Sequence, residues 1–296
     1  MWMYSDELVA SLYDKYHDEI ASNFNQIGFG PKFDIILVGD DRPSNKYVEI
    51  KTAKAKELGI EAKVHKLDSK ITQEELSEIV LAISKDQASD GLILQLPLPK
   101  HLDYRNFVNH IDQKKDLDGL SPISLGNLIY NLPSFISCTP RAIIALARFY
   151  KIQFKQKKIV LLGTGPTVGR PLILLLQNLG LANNLTNLSK DTFQDADSIA
   201  AIKPVVKEAE ILISALGIPN VIQPDMIKKD VIIFDVGLAE VNGVIRSDVD
   251  PRCQNIASFI SPTYRGIGPI TVAFLLESVI KSWKSRLLGL QKEGVL

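Results

Sequence analysis

Tyr47 and Lys51 stand four residues apart in SNKYVEIK (44–51), directly after Pro43. On an α-helix that spacing sets both side chains on one face. Pro43, with Ser44 able to cap the first free amides, reads as the start of such a helix. Lys51 is then either a charge on a solvated helix face or a proton carrier beside an aromatic ring. Proton transfer near neutral pH needs an amine whose pKa has been brought down, by desolvation or by nearby positive charge. The octapeptide alone does not separate the two readings.

Three further stretches hold residues that could do chemistry. QLPLP (95–99) ends an apolar strand on Gln95, and the carboxyl end of a parallel strand is where α/β sheets place ligands. A glutamine capping a proline turn fits equally well. KDLDGL (115–120) sets Lys115, Asp116 and Asp118 before Gly119. It is either a solvated Asp-Gly turn or a carboxylate that grips the amide and amine edge of a heterocycle. GTGPTVGRP (163–171) places Gly163, Gly165 and Gly169 between a strand and a helix. Glycines there let the backbone turn sharply and approach a pyrophosphate, which the helix N-terminus attracts. The spacing is GxGxxxG rather than GxGxxG, so a purely structural turn is the alternative, and the βαβ setting favours a dinucleotide. At the end of the following strand an acidic residue selects NAD and a cation selects NADP. Ser189, Lys190 and Asp191 offer both.

The elements that must position these residues alternate between apolar runs and helical patterns, the mark of an α/β protein with mostly parallel sheets. Strands are expected at 33–38, 62–67 and 91–95, with helices around 44–58 and 73–85. In the segment 97–140, rich in Pro, Asp and Gly, PLPKHLD and KKDLDGLSP read as loops, and CTP (138–140) begins a helix running toward residue 150. A second series follows: strand 158–163, helix 168–179, strands 183–188, 210–215 and 231–236, and a long helix over roughly 270–288. The expected architecture is two lobes with a cleft between them, the second a Rossmann-like doubly wound sheet.

Composition narrows the classes of function. The chain has 296 residues, a length that suggests two domains. Its 34 basic and 34 acidic residues cancel, so no basic field offers itself to nucleic acid or an anionic membrane. The start lacks a secretory leader, and the longest apolar runs are too short to span a bilayer. Cys138 and Cys253, without CxxC spacing, imply no disulfide framework, and four scattered histidines imply no metal site. The expected compartment is the cytoplasm.

Taken in order, VGDDRPSNKYVEIK, DGLILQLPLPKHLD, KKDLDGLSP, CTP, GTGPTVGRP, FDVG and RGIGPIT resemble the bifunctional methylenetetrahydrofolate dehydrogenase/methenyltetrahydrofolate cyclohydrolase family over about residues 35–275. The resemblance implies a folate-binding catalytic domain at 1–137, a Rossmann-like NAD(P)-binding domain at 138–271, and a last helix, 272–296, packed back on the first. It implies Lys51 as the acid/base residue of the cyclohydrolase step, Tyr47 shaping the folate pocket, Gln95 hydrogen-bonding and positioning Lys51, and Asp118 binding the pterin-like ring. Pro262, Gly266, Gly268 and Pro269 would contact substrate. Gly163, Thr164, Gly165, Thr167, Val168, Gly169 and Lys190 would hold the nicotinamide dinucleotide, NADP with NAD also open. The implied partners are a small-molecule folate and, by family habit, a second copy in a homodimer.

The chain also departs from the family. Thr164 and Gly165 stand where the family has Arg and Ser, LSKDT replaces its His-Ser pair, and Ser121 and Ser124 replace the His and Asn that follow Asp-Gly. Tyr264 and Arg265 replace a Pro-Gly pair, which lets Arg265 pair with the folate tail or a cofactor phosphate, or partly close the site. These changes leave a one-activity or purely binding member of the family as an alternative. A short-chain dehydrogenase is rejected, because there the glycine loop precedes the Tyr-x-x-x-Lys pair. A shikimate-dehydrogenase type would not need QLPLP and KDLDG together.

Overall fold

The computed structural model describes residues 1–292; the expected helix end at 293–296 lies outside them. In chain order the elements are α1 (Asp6–Ile27), β1 (Lys32–Val38), α2 (Arg42–Glu57), β2 (Glu61–Leu67), α3 (Gln73–Lys85), β3 (Leu92–Leu94), α4 (Tyr104–Val108) and α5 (Pro122–Ile129). There follow α6 (Cys138–Phe149), β4 (Ile159–Leu162), α7 (Gly169–Asn178), β5 (Leu185–Leu188), α8 (Ala196–Lys207), β6 (Ile211–Ser214), β7 (Ile232–Asp235), β8 (Leu238–Val241), β9 (Val244–Ser247), β10 (Phe259–Ile260) and α9 (Ile267–Lys292). Helix α4 lies between the expected loops PLPKHLD and KKDLDGLSP, and α5 begins at the end of the second. Asp103 and Ser121 cap them by accepting the amides of Arg105 and Ser124.

One compact unit comprises Ala10–Cys138 and the described chain from Val272 on. Its parallel sheet runs β2-β1-β3. Strand β1, KFDIILV, is apolar on both faces because both are covered. Phe33, Ile35 and Leu37 face one core with Tyr16, Val48, Ala55, Val279 and Trp283. Ile36 and Val38 face another with Leu76, Val80, Ile83 and Phe107. That period-two split is what a strand imposes on its side chains.

The other unit comprises Met1–Val9 and Thr139–Thr271. The first nine residues, assigned by sequence to the first lobe, thus cluster with the second series. Trp2 bridges Ile260, and Met3 N donates to Ile260 O at 2.9 Å, which extends the sheet past β10. The five-stranded parallel sheet has the order β10-β7-β6-β4-β5. From β4 the chain goes outward to β5, then returns across to β6 on β4's other side. The winding therefore reverses between β4 and β6, the switch point at which open α/β sheets place ligands beyond their carboxyl ends.

Candidate active site and nucleotide site

Helix α2 starts at Arg42, two residues before the expected 44, and its cap is not Ser44. Asp41 occupies the cap position, accepting from Ser44 N at 3.0 Å and Ser44 Oγ at 2.6 Å. Pro43 has no N–H, so the first amide that the Asp41 carboxylate bonds is that of Ser44. The buried positions of α2 are Ser44, Val48, Lys51 and Ala55, a single stripe at helical spacing. Lys51 therefore lies on the core face, only 7% exposed. The solvated-face reading of SNKYVEIK is excluded.

Gln95 comes to Lys51 from the end of β3. Its backbone N donates to Ile36 O at 2.9 Å, continuing the ladder one residue past the strand. Its side-chain Nε2 donates to Leu96 O at 2.8 Å, which turns Oε1 toward Lys51 Nζ at 3.0 Å. The Lys51 ammonium also lies 5.2 Å from the centroid of the half-buried Tyr47 ring. Burial lowers the Lys51 pKa, against the opposing pull of Asp118 and Cys138. Burial likewise raises Tyr47 and Asp118; Lys51 holds Asp118 down in part and Asp116 pushes it up. Shifts of this kind, gathered on a few adjacent groups, mark functional sites.

The KDLDG loop is a built turn. Asp116, almost fully buried, accepts Leu120 N at 3.1 Å and Ser121 N at 2.8 Å. That frees Asp118, the second carboxylate, to face Lys51's charge. Gly119 has φ +61, and a Cβ there would lie 2.5 Å from Phe135 O. Gly119→Ala is expected to cost about 1–3 kcal/mol of stability through backbone strain, which a thermal melt checks.

The glycine loop is shaped by close backbone contacts. Gly163 has φ +103, and a Cβ on it would overlap Ala215 O. A Cβ on Gly169, the first residue of α7, would overlap Gly163 O. Gly165 is exposed, and a Cβ there meets nothing within 4 Å, so the loop is open at its tip with Thr164, Thr167 and Val168 half-buried around it. Val168 makes no side-chain cap bond; Arg170 N donates to Gly165 O at 3.1 Å, and Pro171 has no N–H, so the loop closes onto the start of α7 through its own backbone. A glycine turn between a strand and a helix N-terminus is the setting in which α/β folds receive a pyrophosphate. At the end of β5, Ser189 caps a short 3-10 turn, and its hydroxyl donates to the Asp191 carboxylate at 3.1 Å. Lys190 is exposed beside it.

The 262–269 loop departs from expectation at Arg265. Its guanidinium binds Asp6 through two contacts, Nε–Oδ1 at 2.9 Å and Nη2–Oδ2 at 3.0 Å, and lies 4.9 Å from the Tyr4 ring centroid. Its partner in this structure is the chain's own N-terminal segment. Gly266 is buried, with Pro262 O where a Cβ would sit. Gly268 and Pro269 fall in the first turn of α9, where proline is favoured.

Sequence reasoning missed two carboxylates in this unit. Asp235, in the quoted FDVG stretch at the end of β7, is 6% exposed, and burial raises its pKa well above the usual value. Asp248 is fully buried, and its carboxylate accepts Ser214 Oγ at 2.7 Å, Leu216 N at 2.7 Å and Ile218 N at 2.8 Å.

Known proteins share this arrangement. Residues 3–118 match the tetrahydrofolate dehydrogenase/cyclohydrolase catalytic domain, and residues 137–287 match the NAD(P)-binding domain of the same family. The bifunctional protein FolD of Aquifex aeolicus (strain VF5) is 38% identical over 282 residues, 93% of this chain and 94% of that protein. The crystal structure of the bifunctional FolD dehydrogenase/cyclohydrolase from Campylobacter jejuni is similar at TM-score 0.86 and 31% identity, covering 97% of this chain and 99% of that one. The Trypanosoma brucei enzyme, solved with NADP cofactor and inhibitor, gives TM-score 0.88 at 26% identity, covering 97% and 98%. The chain belongs to the tetrahydrofolate dehydrogenase/cyclohydrolase family.

Proposed function

We propose that Lys51 is the acid/base group of the hydrolytic step in this bifunctional dehydrogenase/cyclohydrolase, that Tyr47 and Asp118 bind the folate, and that the 163–169 loop with Lys190 holds NADP. The observation that carries the reading is the buried 3.0 Å contact between Lys51 Nζ and Gln95 Oε1. A neutral amine that donates to Gln95 keeps its lone pair for a proton. Residues 10–138 with the last helix take the folate; residues 139–271 with the N-terminal nine take the dinucleotide.

Oxidation of 5,10-methylenetetrahydrofolate removes a hydride from the bridging carbon and leaves a nitrogen-stabilised cation. This step needs alignment more than a proton carrier. The dinucleotide, when bound, supplies the hydride acceptor. Hydrolysis then bonds a water oxygen to the methenyl carbon while Lys51 takes the water's proton. The hydroxyl proton of the adduct leaves as the carbonyl forms, the bond to the ring nitrogen breaks, and that nitrogen takes a proton. One proton is released overall, and the product is 10-formyltetrahydrofolate. The cationic substrate itself favours the neutral lysine.

Two features support NADP over NAD. Lys190 is an exposed cation at the end of β5, and the neighbouring Asp191 carboxylate is engaged by Ser189. A homodimer is proposed as the commonest closed symmetry, with light scattering as its check. A cytoplasmic location is proposed on two buried cysteines that form no disulfide, Cys138 and Cys253; among the described residues no helix is long and apolar enough to cross a membrane. The function test uses purified protein, methylenetetrahydrofolate and either NADP or NAD, with cofactor reduction and methenyl decay followed separately. Both activities are expected, NADP being preferred. Reduction with neither cofactor would sink the dehydrogenase half, and methenyl that persists would sink the role of Lys51.

A further inference from the structure

The loops after β4 and β6 flank the point where the sheet's winding reverses. The first carries the glycines of 163–169; the second is Ala215–Ile218. They are in backbone contact, since a Cβ on Gly163 would overlap Ala215 O. A shift of the second loop must displace the first. Ala215 N donates to Leu162 O at 2.8 Å, and the rest of the second loop is held by one buried carboxylate. Asp248 Oδ2 accepts Ser214 Oγ and Leu216 N, and Oδ1 accepts Ile218 N. The loop turns around that carboxylate at Gly217, φ +65. Asp248 is itself fixed from behind: its N donates to Gly237 O at 3.2 Å, and its O accepts Ile222 N at 3.0 Å. A Cβ on Gly237 would overlap the Asp248 carboxylate, so the acid has no room to retreat. Burial raises its pKa, while the loop amides and Ser214 work against that rise.

We propose that Asp248 is a positioning residue for the dinucleotide, setting the β6 loop and, through Ala215, the glycine loop that receives the pyrophosphate. The inference rests on the assignment of 163–169 to the dinucleotide. Asparagine would place an NH2 group against one of the two loop amides, so it cannot satisfy both.

The test measures Asp248→Asn, Gly217→Ala and Ser214→Ala for NADP KM, for kcat at saturation, and for methenyl decay without cofactor. For Asp248→Asn the KM is expected to rise about ten- to a hundredfold, the loss of hydrogen bonds to a charged group, with methenyl decay unchanged. Gly217→Ala, which strains the same loop from its other side, should give the same signature, and Ser214→Ala a milder one. A merely structural role would instead lower kcat and methenyl decay together at constant KM. NADP KM values within about twofold of wild type in both Asp248→Asn and Gly217→Ala, the range of inconsequential substitutions, would overturn the inference. A wild-type protein that never saturates with NADP or NAD would remove the loop assignment itself, which is a different result.

Discussion

Lys51→Met is expected to slow methenyl hydrolysis by about 10²–10⁴-fold, the usual worth of a positioned acid/base group, while dehydrogenase turnover keeps most of its rate. Methionine has a similar length and an apolar stem, so it fills the stripe between Val48 and Ala55. The loss is then chemical rather than a collapse of the helix face. Gln95 Oε1 does lose its donor, at about 1–3 kcal/mol, so a thermal melt must accompany the kinetics. Lys51→Arg sharpens the test, because a guanidinium keeps the charge and cannot act as a base. Hydrolysis surviving in either variant removes Lys51 from the mechanism. The pH profile gives a second handle. Burial lowers the Lys51 pKa from 10.5, so the wild-type rate should rise with pH through that depressed value and then level. The stability term has a definite sign. Between the depressed folded pKa and the ordinary unfolded one, the unfolded chain binds more protons, so stability rises with pH across that window. Lys51→Met should flatten the rise.

Gly169→Ala is expected to lower the dehydrogenase kcat/KM for NADP by about tenfold or more and to spare the cyclohydrolase. The added methyl overlaps Gly163 O, and Gly163 is pinned in turn against Ala215 O. Both obstacles are backbone, so no side-chain rotation relieves the clash. Forced overpacking of this sort costs about 1–3 kcal/mol, paid by distorting the loop that must cradle the pyrophosphate. A fluorescence titration with NADPH should show binding weakened by about tenfold or more, a 1.4 kcal/mol loss. Methenyl decay, carried by Lys51 and Gln95 in the other unit, should continue. Undiminished NADPH affinity would mean that the dinucleotide does not use this loop.

The sequence revealed most where a signal was local. The βαβ series around KIVLLGTGP is legible because strand, turn and helix are contiguous. Lys51 and Gln95 could be paired only through the family resemblance, since they are 44 residues apart in the chain. The β8–β9 hairpin was missed although Asn242-Gly243, both at positive φ, is a strong hairpin turn. Asp41 was overlooked as a cap because Ser44 drew attention to the residue after the proline rather than the one before it. Asp248 had no local signal at all: its partners at 214, 216 and 218 lie 30 to 34 residues away. A buried acid is recognisable only once the amides around it are located. The Arg265–Asp6 pair has no local signal for the same reason, since the two lie 259 residues apart.

Arg265 also bears on how this chain diverged from its relatives. It holds a backbone φ of 62, a conformation natural to the glycine that the family loop carries there and uncommon for other residues. Ser5 N and Oγ donate to its carbonyl, Asp6 binds its guanidinium, and Tyr4 lies beneath it. The arginine is thus tolerated in the company of the residues at 4–6. Epistasis follows, because the acceptable residue at 265 depends on what stands at 6. Asp6→Asn and Arg265→Gly should be non-additive in a double-mutant cycle. A glycine-bearing loop grafted from a relative should fit this chain, whereas this arginine-bearing loop grafted into a relative without the acidic partner should not.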